Sequence, residues 1–328
     1  MKRINNLLEP ASEMDNLRLA FWKASKGKRY AAQVMSFQDQ LEDNLCLLRS
    51  QMMQGKVDVG HYHYFKVFDP KERMICASAF HEQVLHHALM NVCHPYFDRF
   101  QVFDSYASRP GKGLHAALDR ASKFTKSGLW FLKLDIRKFF ENVDHRVLKH
   151  QLEHLFKDYR LLHLFDQIID SYCTSPGRGL PIGNLTSQYF ANHYLSPLDH
   201  FIKEKLGVKF YVRYMDDLVF WDQDKDYLKR IFISVNEFVV HQLHATLKPP
   251  LFGKADQGLP FLGFLIFPYH IRLSQRSKTR FIKKIRKLEE AYHAGIWSEN
   301  ICHRKAQSLI SYTKYAESAV LRKKVIYG

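Results

Sequence analysis

The sequence predicts an α+β fold in which a small antiparallel sheet is backed by helices. Three observations predict it. Trp130-Phe-Leu-Lys-Leu-Asp-Ile136 is an apolar run of strand length. Residues 208–221 read as two short strands around a tight turn. Between Asp226 and Leu243, Leu228, Ile231, Phe232, Val235, Phe238, Val239 and Leu243 recur at helical spacing. Two further helices follow. Phe281, Ile285, Leu288 and Tyr292 form one apolar stripe, which Lys283, Lys284, Arg286 and Lys287 largely avoid. Gly295 is a stop signal, and a second helix is expected from near Ser298 through Leu309 and Tyr312.

Composition bounds the class. The chain has 328 residues, 46% of them hydrophobic, enough for two or three lobes with real cores. Disordered, collagen-like and disulfide-scaffold classes are excluded. Lys and Arg number 49 against 33 acids, a net charge of +16 that suggests a polyanionic partner. The excess is uneven, because residues 271–328 hold 14 Lys and Arg against four acids. Five cysteines with no C-x-x-C pair support neither a disulfide framework nor a zinc ribbon. The 18 histidines include His61, His63, His86 and His87. No Cys or acid partners are recognised at zinc-site spacing, so no structural zinc is expected. His86 and His87 are expected on a helix, one packed and one exposed. The first 17 residues lack the apolar stretch of a signal peptide, and no run approaches the roughly 18 residues of a membrane span. A soluble cytoplasmic chain without a membrane partner is expected.

Chemistry is concentrated in three acids. Asp135 closes the first strand, and Asp216 and Asp217 sit together at the tip of the second strand pair. Asp suits turns, but a two-residue turn favours Asn-Gly or Asp-Gly. Asp-Asp is a poor choice there, and its like charges repel. A bound cation relieves that repulsion. Mg²⁺ takes hard oxygen ligands, and two such ions about 3.5–4 Å apart support in-line phosphoryl transfer. If the Asp135 strand lies beside the hairpin, three carboxylates converge at one sheet edge.

At these residues the chain resembles a known family. Tyr214-Met215-Asp216-Asp217 matches the Y-x-D-D box of reverse transcriptases, and Asp135 with Phe139-Phe140 resembles their first palm motif. Residues 65–75 look like the fingers hairpin over the incoming nucleotide. Residues 105–117 look like the segment beside the template. Phe261-Leu262-Gly263-Phe264 resembles the primer-grip turn, and the basic helices 277–315 sit where a thumb belongs. Leu180-Pro-Ile182-Gly183-Asn-Leu-Thr-Ser187-Gln188 departs from the usual Q-G-x-x-x-S-P pattern. Its I-G-x-x-x-S-Q form is similar to the reverse transcriptases of diversity-generating retroelements, which are related to group II intron and retron enzymes. A Gln at 182 would hydrogen-bond the nucleotide sugar and Ile cannot, which loosens geometric selection. Ile182 also reads as plain apolar packing.

The resemblance implies a right-hand polymerase. Fingers would span 1–127 with 146–179, and a ferredoxin-like palm 128–145 with 180–265. A helical thumb would take 266–328, with no RNase H or endonuclease domain. The implied activity is RNA-directed DNA polymerisation, copying a template-repeat RNA into cDNA with errors at template adenines for targeted gene diversification. The implied metal set is Asp135, Ile136, Asp216 and Asp217, holding two Mg²⁺ ions with Mn²⁺ as a substitute. Phe140 would exclude the ribose 2′-hydroxyl, while Phe139 is read as core because neighbours on a pleat face opposite ways. Lys71, Arg73, Phe140, Ile182, Gln188 and Lys248 are candidates around the deoxynucleoside triphosphate. Lys66 competes with Lys71 for the phosphate, and Lys254 competes with Lys248 as proton donor to pyrophosphate. Arg109 and Lys112 are candidates for template backbone, in a stretch that lacks the P-loop pattern and also reads as a solvated loop. Tyr214, Met215, Leu262 and Gly263 fall to the primer side, with Lys283, Lys284 and Lys287 gripping template and primer backbone. Implied partners are template RNA, cDNA primer, deoxynucleotides and a basic oligomeric accessory protein, the variability determinant. The rival readings are a retron, intron-like or phage-defence reverse transcriptase, or an idle RNA-binding scaffold, which the intact acids disfavour. An RNA-dependent RNA polymerase is disfavoured by Phe140.

Overall fold

Helix caps and apolar periodicity set the elements that the computed structural model shows for residues 3–68 and 72–327. The chain begins with α1 (Leu8–Ser12), α2 (Met14–Ser25), α3 (Ala32–Asp39) and α4 (Leu41–Gln54). The hairpin β1 (Tyr62–Phe68) and β2 (Glu72–Ser78) leads into α5 (Phe80–Phe100) and α6 (Leu114–Ser127). β3 (Trp130–Asp135) is followed by α7 (Phe139–Asn142), α8 (His145–Leu155), α9 (Tyr159–Asp170) and α10 (Leu185–His200). Then come β4 (Tyr211–Tyr214), β5 (Asp217–Asp222), α11 (Lys225–His241) and β6 (Leu251–Lys254). Three short strands, β7 (Leu259–Phe261), β8 (Phe264–Ile266) and β9 (Ile271–Leu273), precede α12 (Gln275–His293), α13 (Glu299–Lys314) and α14 (Ala319–Tyr327). Among the described residues no helix is long and apolar enough to cross a membrane.

The chain folds as two compact units. The first comprises Met1–Ser108, Ile136–Gly207 and Ser234–Lys248. Its core is aromatic. Phe97 on α5 is fully buried and meets Phe156 at 5.3 Å, His193 at 5.4 Å and Phe190 at 6.4 Å between ring centroids. Such pairs add about 0.5–1.5 kcal/mol each beyond area burial. Asp158 caps α9 by accepting from the Leu161 amide, and its other oxygen accepts from Leu7 and Leu8. That one carboxylate therefore fixes the start of α1 against α9. His86 is buried in α5 as expected, whereas His87 is half-buried and not exposed.

The second unit comprises Arg109–Asp135, Val208–Ile233 and Pro249–Gly328. Its main sheet runs β4-β5-β3-β6, with every neighbour antiparallel. The two central strands are buried on both faces, which explains their unbroken apolar runs. Helix α6 covers the sheet through Phe124, 5.5 Å from Trp221, whose indole donates to Thr125 Oγ1 at 3.1 Å. Ser274 caps α12 by accepting from the Ser277 amide. Phe281, Ile285 and Leu288 are buried against Trp297, Leu309 and Leu321. Tyr292 departs from the expected stripe, since it is 48% exposed and Ala291 takes the buried place in the last turn. Lys283, Lys284, Arg286 and Lys287 all face solvent. Ser298 precedes α13 as expected.

Candidate active site

The register of the main sheet gathers the acids. Asp135 is the last residue of β3 and pairs with Asp217, the first residue of β5. Tyr214 pairs with Asp217 across a two-residue turn, so the central pair is Met215-Asp216 and not Asp216-Asp217. This corrects the expected turn. The reason is the strand pairing, which overrides the steric preference for Asp at positive φ. The first turn position takes positive φ, and Met215 adopts it at 52° while Asp216 does not. Asp217 is thereby left in the strand, directly opposite Asp135.

Like charges directly opposite on a sheet destabilise it. The structure compensates in part. Lys133 lies on the same face of β3 as Asp135, two residues earlier. Its Nζ is 3.1 Å from Asp217 Oδ1, with both side chains about four-fifths buried. Arg213 on β4 is fully buried and donates to the Met215 carbonyl at 3.2 Å, which supports the strained turn. Oδ1 of Asp135 and Oδ1 of Asp217 are both buried, the latter against the Lys133 ammonium, and both residues have further partners. Carboxylates set directly opposite each other at one sheet edge suit a hard divalent cation, which takes oxygen ligands and relieves their repulsion. The donor set therefore fits Mg²⁺. Ile136 has a buried aliphatic side chain, so only its backbone carbonyl has ligand chemistry. Burial raises the pKa of Tyr214 and keeps its phenol neutral. Lys133 and Arg213 were missed in the sequence, where each is a cation inside an otherwise apolar strand.

The same unit carries the second expected turn. Leu262 and Gly263 join β7 to β8 between paired Phe261 and Phe264, with φ of 50° and 88°. A Cβ at Gly263 would overlap the Tyr312 hydroxyl and Ser277 Oγ. Tyr312 donates to the Leu262 carbonyl at 3.4 Å, and its ring lies tilted against Phe264 at 4.9 Å. Helix α13 thus rests on the turn. Arg109 and Lys112 lie in the loop before α6, where the Lys112 amide donates to the Arg109 carbonyl. Lys254 pairs with Trp130, its ammonium 5.4 Å from that ring. It lies five residues from Asp135 along the neighbouring strand, about 17 Å away. Strand direction therefore removes Lys254 from the acids.

The first unit carries the other expected residues. The Cys76 amide donates to the Ile182 carbonyl at 2.8 Å, and a Cβ on Gly183 would strike Ile75. Asn184 Oδ1 accepts from the Ser78 amide at 3.2 Å. Residues 182–184 are thereby sewn to the root of the β1–β2 hairpin. Gln188 accepts from Ser108 Oγ at 3.0 Å. Phe140 is half-buried beside the buried Phe139, and its carbonyl accepts from Leu180. Their contrast in burial is as expected, but they lie on a helical turn (α7) and not on a pleat. Lys138 makes the break, with φ of 47°. In the hairpin, Arg73 pairs across from Val67, and Lys66 makes an ion pair with Glu72 at 2.6 Å. Lys71 lies outside the described residues. Lys248 follows Leu247, whose backbone bridges to Ile136.

Facing strand carboxylates beside a tight hairpin turn are a donor set of the kind that two-metal phosphoryl transfer uses. The chain matches the reverse transcriptase (RNA-dependent DNA polymerase) family over residues 68–249, more than half its length, and belongs to that family. It is 24% identical over 174 residues to Protein YkfC of Escherichia coli K12, covering 47% of this chain and 45% of that protein. It is 29% identical over 112 residues to the group II intron-encoded protein LtrA of Lactococcus lactis, covering 32% of this chain and 18% of that one. The chain spans less than half the length of these curated relatives. Among solved structures, apo telomerase from Candida tropicalis shares the fold, with a TM-score of 0.54 at 12% identity, over 88% of this chain and 64% of that one.

Proposed function

We propose that this chain is an RNA-directed DNA polymerase of the diversity-generating retroelement type, copying a template-repeat RNA into cDNA with errors at template adenines. The observation that carries the polymerase reading is the register that sets Asp135 opposite Asp217 beside the Met215-Asp216 turn. Asp135, Asp216 and Asp217, with the Ile136 carbonyl, would hold two Mg²⁺ ions, or Mn²⁺ in their place. Bound metal supplies charge neutralisation at the transferring phosphate and a more acidic primer hydroxyl. Lys71 and Arg73 bind the triphosphate, Arg through its fork and Lys as a point charge. Phe140 excludes a 2′-hydroxyl. Lys248, with Lys254 set aside by strand direction, protonates the departing pyrophosphate. Leu262 and Gly263 present backbone to the primer end beside Tyr214 and Met215, while Arg109 and Lys112 hold the template. Lys283, Lys284 and Lys287 grip phosphates without reading sequence, a hold that weakens steeply with salt.

The lobes are a fingers region, a ferredoxin-like palm and a basic thumb at the boundaries given above. The strand order of the main sheet, set by a β-α-β-β-α-β chain order, supports the palm. The Ile182-Gly183 sequence supports the retroelement subclass. Ile182 is held to β2 through its backbone carbonyl, a contact that does not depend on its side chain. A basic accessory protein would be the partner, and the cytoplasm the setting for a bacterial, archaeal or phage-encoded chain. The names of relatives such as LtrA favour a second reading, an intron-like enzyme.

Primer extension on an RNA template with deoxynucleotides and Mg²⁺, followed by sequencing, tests both levels. Extension with errors concentrated at template adenines, reduced in Ile182→Gln, is the expected result. Absence of extension with either metal overturns the polymerase reading. Faithful copying of adenines overturns the retroelement subclass and leaves the intron-like enzyme.

A further inference from the structure

We propose that Asp58, His61 and His81 form a zinc site that ties together the two roots of the β1–β2 hairpin. The three residues lie apart in sequence and meet in the first unit. Asp58 and His61 immediately precede β1, and His81 opens α5 just after β2. Their ligand atoms all lie within 4.8 Å of one another. His61 Nε2 is 2.8 Å from Asp58 Oδ1, and His81 Nε2 is 3.7 Å from Asp58 Oδ2. Tetrahedral zinc, with bonds near 2.0–2.1 Å, spaces its ligand atoms by about 3.3 Å. The observed separations bracket that value, so small side-chain movements complete the geometry.

The backbone holding these groups is built rather than loose. Glu82 is 1% exposed and spends both carboxylate oxygens on this loop, accepting from Gly60 at 3.1 Å and His61 at 2.8 Å. The His61 carbonyl in turn accepts from the Ala79 amide at 2.8 Å. One histidine is therefore fixed at its amide and its carbonyl by the segment that carries the other. Secondary hydrogen bonds of this kind orient metal ligands.

The chemistry selects the ion. Two imidazoles and one carboxylate suit Zn²⁺, whereas Mg²⁺ prefers oxygen alone. Both imidazoles turn Nε2 toward Asp58, His61 to its carboxylate and His81 also to its carbonyl at 3.2 Å, and zinc would displace the Nε2 proton and leave the neutral ring protonated at Nδ1. The Asp58 and His61 side chains are each 58% exposed, which gives an entry path and room for water at a fourth position. An exposed Asp–His ion pair alone is worth about 0–1 kcal/mol and needs no second histidine on the same carboxylate. The site's consequence is mechanical. A zinc ion would join the entry to β1 with the exit from β2. It would stiffen the hairpin's base independently of any polymerase chemistry.

Chelator-stripped protein titrated with Zn²⁺ against a chromophoric chelator tests the proposal. The wild-type chain is expected to bind one more equivalent than His61→Ala or His81→Ala, each of which loses at least about a hundredfold in affinity at that site. His61 is exposed, so its substitution leaves folding intact. A second readout is amide exchange in residues 62–68 and 72–78, which Zn²⁺ should slow in the wild type and leave unchanged in His61→Ala. Equal zinc stoichiometry and affinity in wild type and both variants overturns the proposal. So does zinc binding that leaves hairpin exchange unaltered.

Discussion

Two turns in the second unit face the same steric demand and meet it with different residues. The β7–β8 turn uses Leu262-Gly263, and the β4–β5 turn uses Met215-Asp216. Both place a large residue at positive φ, Leu262 at 50° and Met215 at 52°. The first turn puts glycine at its second central position, where Tyr312 and Ser277 leave no space for a Cβ. The second has a carboxylate there instead. A turn that presents backbone takes glycine, while a turn that must present acids forgoes it. Residues in sparsely populated φ/ψ regions cost about 1–3 kcal/mol and persist where the surroundings over-determine them. Arg213, buried beneath Met215 and bonded to its carbonyl, is that support.

The largest effect that breaks this comparison falls on the acidic turn. Asp216→Asn should reduce RNA-templated extension by about a thousandfold or more while leaving the urea midpoint nearly unchanged. A steady-state extension assay beside a denaturation curve checks both halves. The glycine turn should behave the opposite way. Gly263→Ala should cost about 2–3 kcal/mol of stability in urea, because the Cβ meets Tyr312 and the φ disfavours it. Met215→Gly should change stability by less than about 1 kcal/mol, since relief of the left-handed conformation is offset by unfolded-chain entropy. A large destabilisation there would show that Met215 is held by packing and not tolerated despite strain.

Much of this was legible in the sequence, for physical reasons. β3 and β5 are buried on both faces and read as unbroken apolar runs, while α12 is buried along one stripe and reads by its helical period. Asp135 and Asp217 stand out as acids at the ends of apolar runs. What was hidden depends on register or on distant pairing. The turn's central pair could not be told from Asp216-Asp217 without the Tyr214–Asp217 pairing. Three-residue strands such as β7 and β9 carry too little alternation to read. Lys133 declares itself only when β5 lies beside it. Asp58, His61 and His81 meet only because a hairpin brings its two ends together.

Acid sharpens the contrast between the two units. Burial pushes His86 down to about 3 and His193 to about 4, both in the first unit. Their folded values lie below the unfolded value near 6.5, so the unfolded chain binds more protons in acid. Their contribution to stability is complete above about pH 6.5 and is lost as pH falls toward about 4. The slope is up to about 1.4 kcal/mol per pH unit for each histidine. Protection factors against amide exchange in α5 and α10 should therefore fall between pH 6.5 and 5 before those of β3 and β5. A modest effect is expected of Tyr312→Phe, about 1–2 kcal/mol in urea from the lost hydrogen bonds to the Leu262 carbonyl and Ser277 Oγ.

The central claim is that the strained turn exists to hold acids around divalent metal. It is tested most directly by counting Mn²⁺ with electron paramagnetic resonance in a complex with RNA template, a 3′-deoxy primer and the next deoxynucleotide. The wild-type chain should hold more tightly bound Mn²⁺ than Asp216→Asn under the same conditions, with both proteins folded and both binding the template–primer. Identical Mn²⁺ counts and affinities in the two proteins would contradict the account.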